Sequence, residues 1–293
     1  MKKPLLLCSV LALLLFACKK GSKDTPPPTD EKKYAVTFNV SDFSQDYGPL
    51  ESAKQKKGLK LNADSSSTER LVYQLFKEGG TGFIAYKNLL RGDAGFGTFS
   101  EQLTPGNYIA AFVGSSKYLQ NSGDKKTFTY LGPWGEIFTK RVSFTVSSAP
   151  VNTSVQLDRV NNQLVLNIED AIPADVKKIE FSYTDNFALN VTASGNGFTN
   201  ANTRTVTVYV TSAEVGKTNY KIAVNTCYNA ASTVTIRYFK NDPNVPYGIK
   251  TVPNVIRKTN YRTTVSGKLF TPGNAGFTVD LDDTWDEPVN GEF

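Results

Sequence analysis

The 293-residue sequence predicts an all-β protein built as two antiparallel β-sandwiches in tandem. Three observations predict it. Apolar side chains recur at every second position from Tyr34 almost to the C-terminus, which is the period of a half-buried strand. Clusters of Pro, Gly and Asn punctuate these runs, and no stretch carries a 3.6-residue apolar pattern long enough for a major helix.

Residues 1–17 have the layout of a secretory signal: Lys2 and Lys3 start it, Leu5 to Phe16 form the apolar run, and Ala17 is the small residue before a cut. That run is too short to span a bilayer, which needs roughly 20 apolar residues. Leu15-Phe16-Ala17-Cys18 reads as a lipobox, so cleavage is expected before Cys18, with lipid attached to its sulfur and amine. Several acyl chains anchor a protein stably, whereas one chain binds a membrane only marginally. Residues 18–33 are polar and contain Pro26-Pro27-Pro28, a composition that cannot bury a core and serves as an extended tether.

The first sandwich is expected over 34–149. Tyr34, Val36, Phe38 and Val40 share one strand face, followed by the sets Leu71, Tyr73, Leu75 and Val142, Phe144, Val146. Ser147-Ser148-Ala149-Pro150 breaks the alternation, and the second sandwich is expected over 150–293. Its runs are Leu164, Leu166, Ile168; Ile179, Phe181, Tyr183; Val206, Val208, Val210; Val234, Ile236, Tyr238; and Phe277, Val279, Leu281. Turns at Thr104-Pro105-Gly106-Asn107, Gly195-Asn196-Gly197 and Thr271-Pro272-Gly273-Asn274 separate strands.

Composition excludes several chemistries. The chain has no histidine, which removes Ser-His-Asp and Cys-His nucleophiles and every histidine-ligated metal site. Carboxylate-pair hydrolysis survives on residue types alone. Net charge is +6 and falls to +4 once Lys2 and Lys3 leave, with 31 basic residues against 27 acidic ones. The basic residues are scattered or sit in the solvated Lys54–Lys60 stretch, so nucleic acid is not an expected partner. After processing only Cys18 and Cys227 remain, and Cys227, in an apolar stretch, is expected to pack as a small hydrophobe.

No catalytic, cofactor or metal residue is assigned. Asp280, Asp282, Asp283, Asp286 and Glu287 are the densest acidic cluster, but alternation places Asp280 and Asp282 on the solvent face of a strand, where they guard an edge. Arg91-Gly92-Asp93 reads as a tight turn with a solvated charge pair, against the alternative of display to an animal integrin. Trp134, with Phe128 and Tyr130 close by, closes the end of a core on one reading and stacks on a sugar on another. Phe277, Val279, Leu281 and Trp285 share a face that must be buried, in this chain or against a strand of a neighbour.

The lipobox, the tether and the two all-β halves together resemble the fimbrillins and the fimbrial anchor or minor-subunit lipoproteins of the Bacteroidetes. The resemblance rests on Val36-Thr37-Phe38-Asn39-Val40 with Phe43, Leu71 to Phe76 leading into Gly79-Gly80, and Leu103 to Tyr108. In the second half it rests on Leu157-Asp158-Arg159-Val160 before Leu164-Val165-Leu166, Ile172-Pro173-Ala174-Asp175-Val176, and Asn260-Tyr261 ahead of Phe277 to Trp285. It implies transthyretin-like sandwiches, a lipid anchor in the outer membrane, no catalysis, and fimbrial subunits as partners through β-strand addition. Its polymerising members are cut by a protease at a basic residue, for which Lys56, Lys57 and Arg70 are the candidates. Only Asp286 to Phe293 follow Trp285, which fits an anchor or minor subunit better than a shaft subunit. A surface glycan-binding lipoprotein is the alternative reading.

Overall fold

The computed structural model describes residues 31–44, 61–62, 68–80, 82–123, 126–130, 134–191, 197–272 and 276–282. Cys18, the Lys54–Lys60 stretch and Trp285 lie outside them. The described residues contain strands and no helix. The first strands are β1 (Tyr34–Ser44), β2 (Leu61–Asn62), β3 (Arg70–Lys77), β4 (Phe83–Leu90), β5 (Thr98–Leu103) and β6 (Gly106–Ser115). Next come β7 (Gln120–Asn121), β8 (Thr127–Thr129), β9 (Ile137–Val146), β10 (Val151–Arg159), β11 (Asn162–Ile168) and β12 (Lys178–Asn190). The chain continues through β13 (Phe198–Tyr209), β14 (Tyr220–Thr226), β15 (Ser232–Phe239), β16 (Gly248–Val255), β17 (Arg262–Gly267) and β18 (Thr278–Asp282).

An eight-stranded sheet, ordered β2-β1-β10-β9-β6-β3-β4 with β5 also on β1, holds the first part of the chain. It curls until its ends meet: Lys87 on β4 donates to the Ser100 carbonyl on β5 at 3.1 Å and pairs with Glu101 at 2.9 Å. The alternation seen in the sequence supplies the inner face. Val36, Phe38, Leu71, Tyr73, Leu75, Phe99 and Phe112 are buried there, with Tyr73 stacked on Phe99 at 4.7 Å and Phe38 edge-on to Phe112 at 5.4 Å. Each such side chain contributes roughly 1.5–3 kcal/mol when fully buried.

A four-stranded sheet, β14-β11-β17-β18, and a six-stranded one, β16-β15-β12-β8-β7 with β13 also on β12, share a second core. Leu164, Leu166, Ile222 and Val265 come from the former; Ile179, Phe181, Val206, Val234 and Ile236 come from the latter. A third cluster, including Val72, Val113, Phe128, Trp134, Ile137, Leu189 and Cys227, is built from both parts of the chain.

Two pairings correct the antiparallel expectation: β1 runs parallel to β10, and β11 runs parallel to β17. Parallel neighbours need a long connection, and here the intervening strands provide it. Ser147 to Pro150 joins β9 to β10, both members of the eight-stranded sheet, so the chain leaves that sheet only after Arg159.

Candidate functional site

The edge of the four-stranded sheet is the site with chemistry to spare. Phe277 packs against the second core, and its ring lies over Gly267, where a Cβ would come within 2.7 Å of it. Any side chain there would push the ring away and disturb the start of β18. From Thr278 the strand pairs antiparallel with β17, setting Val279 opposite Val265 and Leu281 opposite Thr263. Directly opposed residues share a face. Val265 and Thr263 are fully buried, but Val279 is 41 % exposed and Leu281 is half-buried, so the inward face of β18 is left partly uncovered. On the other face Asp280 is exposed and Asp282 half-buried. Burial along β18 therefore does not alternate as the sequence pattern does: Val279 is exposed like Asp280, and Leu281 is half-buried like Asp282.

Other edges are blunted. On β4, Lys87 stands opposite Tyr73 and points to the inner side, and the pairing slips between Leu75 and Phe76. On β16, Lys250 stands opposite the buried Ile236, and Pro253 removes a backbone donor. Inward charges, bulges and proline are the devices by which sheets refuse an extra strand. β18 carries none of them on its inward face, and among the described residues no strand lies beyond it.

A buried charge cluster stiffens the neighbouring sheet. Asp185 is fully buried, with Arg204 Nε at 3.0 Å, and its Oδ1 accepts the backbone N–H groups of Asn186 and Cys227 at 2.9 and 2.8 Å. Burial pushes the Asp185 carboxyl up to about 6, against the pull of those donors, Arg204 and Arg257. Arg257, itself buried, donates to the Thr184 carbonyl at 2.7 Å and to Ser232 at 2.6 Å. Sequence reasoning missed this pair, although a signal was present: carrying the Ile179, Phe181, Tyr183 alternation two residues further puts a carboxylate on a buried face.

The remaining candidates divide plainly. Trp134 is 1 % exposed, donates Nε1–H to the Asn186 carbonyl at 2.8 Å and meets Phe198 edge-on, so it closes a core and offers no sugar platform. Arg91-Gly92-Asp93 is a turn: Arg91 Nε donates to the Thr68 carbonyl at 2.9 Å, and Asp93 Oδ2 accepts the Leu90 N–H at 2.7 Å. Cys227 is buried, and burial raises its thiol well above the ordinary range, which leaves it unreactive. Arg70 lies within β3, paired on both sides by β4 and β6. Among the described residues no group of His, Cys, Asp and Glu is arranged to hold a metal ion. Cys18, Trp285, Asp283, Asp286, Glu287, Lys56 and Lys57 lie outside the described residues.

This all-β arrangement is similar in fold to several solved structures. A structure described as a candidate adhesin from Bacteroides ovatus aligns over 87 % of this chain and 97 % of its own, with a TM-score of 0.51 and 11 % identity. A candidate adhesin from Bacteroides thetaiotaomicron aligns over 86 % and 96 %, with a TM-score of 0.50 and 12 % identity. A fimbrial anchor protein from Porphyromonas gingivalis aligns over 85 % and 97 %, at a TM-score of 0.47 and 8 % identity. No protein-family profile matches the sequence, and no curated protein matches it.

Proposed function

We propose that this chain is a lipid-anchored fimbrial anchor or minor subunit, which joins other fimbrial subunits by β-strand pairing and so serves assembly, attachment and cell adhesion. On this reading Cys18 carries the lipid, residues 18–33 form the tether at the outer membrane, and the folded part comprises tandem transthyretin-like sandwiches. The fold shared with candidate adhesins and the order of fimbrillin-like segments support it. The observation that carries it is Val279, an inward-facing side chain left 41 % exposed on an edge strand whose inward face bears no charge. A partner strand laid along β18 would cover Val279 and Leu281 while its backbone satisfies the open N–H and C=O groups.

The test installs the missing guard. Val279→Lys copies the inward lysines of β4 and β16 at a position exposed enough to leave folding intact. The variant should fold, reach the membrane and fail to join fimbriae. Normal incorporation would overturn strand pairing at this edge. Fatty-acid labelling of wild type but not of Cys18→Ala tests the anchor, and equal labelling would remove it.

A further inference from the structure

Where β3 and β4 meet the segment before β7, the exposed Phe83 and Tyr118 and the half-buried Tyr86, which packs against the third cluster, form a row of rings with the Arg70 guanidinium beside it. We propose that this row binds a saccharide bearing a carboxylate, a function separate from strand pairing and independent of it.

Tyr118 is 59 % exposed, and the Arg70 guanidinium lies over its ring at 4.9 Å from the centroid. A cation thus braces one face of a ring that is more than half exposed. Phe83 is 43 % exposed and meets Tyr86 edge-on at 6.5 Å. The Tyr86 hydroxyl accepts a hydrogen bond from Asn121 Nδ2 at 2.7 Å and has the exposed Asn88 beside it. Register places these groups on one side: Arg70 is opposite Leu90, Val72 opposite Asn88, Gln74 opposite Tyr86 and Phe76 opposite Phe83. The rings are held by neighbours that touch their edges or one face, so little rotamer freedom remains to be lost on binding.

The chemistry selects the ligand. Aromatic faces interleaved with planar amides suit a molecule whose surface alternates C–H faces with hydroxyls on the scale of one sugar ring. A protein partner needs a contiguous buried patch of about 800 Å² per side with an apolar centre, and here the rings in mutual contact are the single pair Phe83 and Tyr86, while a guanidinium covers one face of Tyr118. Arg70 decides the charge. Among the described residues its side chain meets the Tyr118 ring and, at longer range, the Tyr86 hydroxyl, and the strands on either side set Leu90 and Ser115 opposite it. A planar guanidinium among such neutral neighbours is the group that takes a carboxylate in bidentate fashion.

Calorimetry with the purified full chain tests the site, using tetragalacturonate, neutral maltotetraose and tetraglutamate as probes. Tetragalacturonate should bind with a Kd of about 1 mM or tighter, and maltotetraose about tenfold more weakly. Tyr118→Ala should weaken tetragalacturonate by about tenfold, whereas Tyr209→Ala, which truncates an exposed tyrosine on β13, should leave it unchanged. Arg70→Gln should erase the preference for the acidic sugar while the melting temperature holds. Binding of tetraglutamate as tight as tetragalacturonate would mean simple anion attraction and overturn the proposal. So would no binding of either sugar, or equal binding by wild type and Tyr118→Ala. Capture of a protein segment at Tyr118 in place of the sugars would likewise overturn it.

Discussion

Val265 and Val279 stand directly opposite each other on β17 and β18, yet Val265 is fully buried and Val279 is 41 % exposed. Two identical side chains on one face therefore have different tasks. Val265 is already covered by this chain's own core, and Val279 waits at the rim. Truncating each to Ala separates them. Val265→Ala should cost about 2 kcal/mol of stability, because it empties a packed site, and Val279→Ala less than about 1 kcal/mol. Urea unfolding measures both, and equal losses would mean that Val279 is covered within the monomer.

Lys87 puts on the inner side of β4 a charge that the inward face of β18 lacks. Its ion pair with Glu101 is partly exposed and contributes only about 0–1 kcal/mol. Its larger effect is to place a charge on the inner side of an edge strand. Lys87→Val should therefore change stability little and produce concentration-dependent self-association, read by light scattering. A variant that stays monomeric at every concentration would refute the guard role.

Asp185 gives the chain a pH-dependent term. Its carboxyl titrates at about 6 in the fold, above the ordinary 3.8, so the folded chain holds that proton more tightly than the unfolded chain does. The associated stability is fully present below about pH 4, is lost as pH rises through 6, and is level above that. Asp185→Asn lacks the term. The stability of wild type minus that of the variant should fall by roughly 2–3 kcal/mol between pH 4 and 7, and a constant difference would refute the assignment.

Trp134 is a core residue in spite of its setting among loop aromatics. Trp134→Ala should cost about 3–5 kcal/mol, since it removes a buried ring and orphans the Asn186 carbonyl. Calorimetric unfolding reads the loss. A stable variant with altered sugar binding would restore the stacking reading.

Each named apolar run meets a strand, although Val210 falls just past the end of β13 and Phe277 just before the start of β18. Alternation also explains why Leu71, Tyr73 and Leu75 all face inward, because a pleated backbone turns successive side chains to opposite sides whichever strands it pairs with. The same rule reaches Asp185 and Arg204 once it is carried past the apolar residues. Absence of histidine excluded its chemistry from composition alone.

Which strands meet is not a local property, and only the tertiary structure decided it. A period of two is identical in parallel and antiparallel strands, so nothing near Val36 announces its partner Val151, more than a hundred positions away. Ser147 to Pro150 broke the alternation as a domain boundary would, but pairing of β10 with β1 kept the next strand in the same sheet. Trp134 became buried because Asn186, Phe198 and Arg204 arrive from distant strands. The openness of β18 and the pairing of Asp185 with Arg204 have the same origin: exposure and charge environment depend on what the rest of the chain brings to a residue, and that is set by long-range packing.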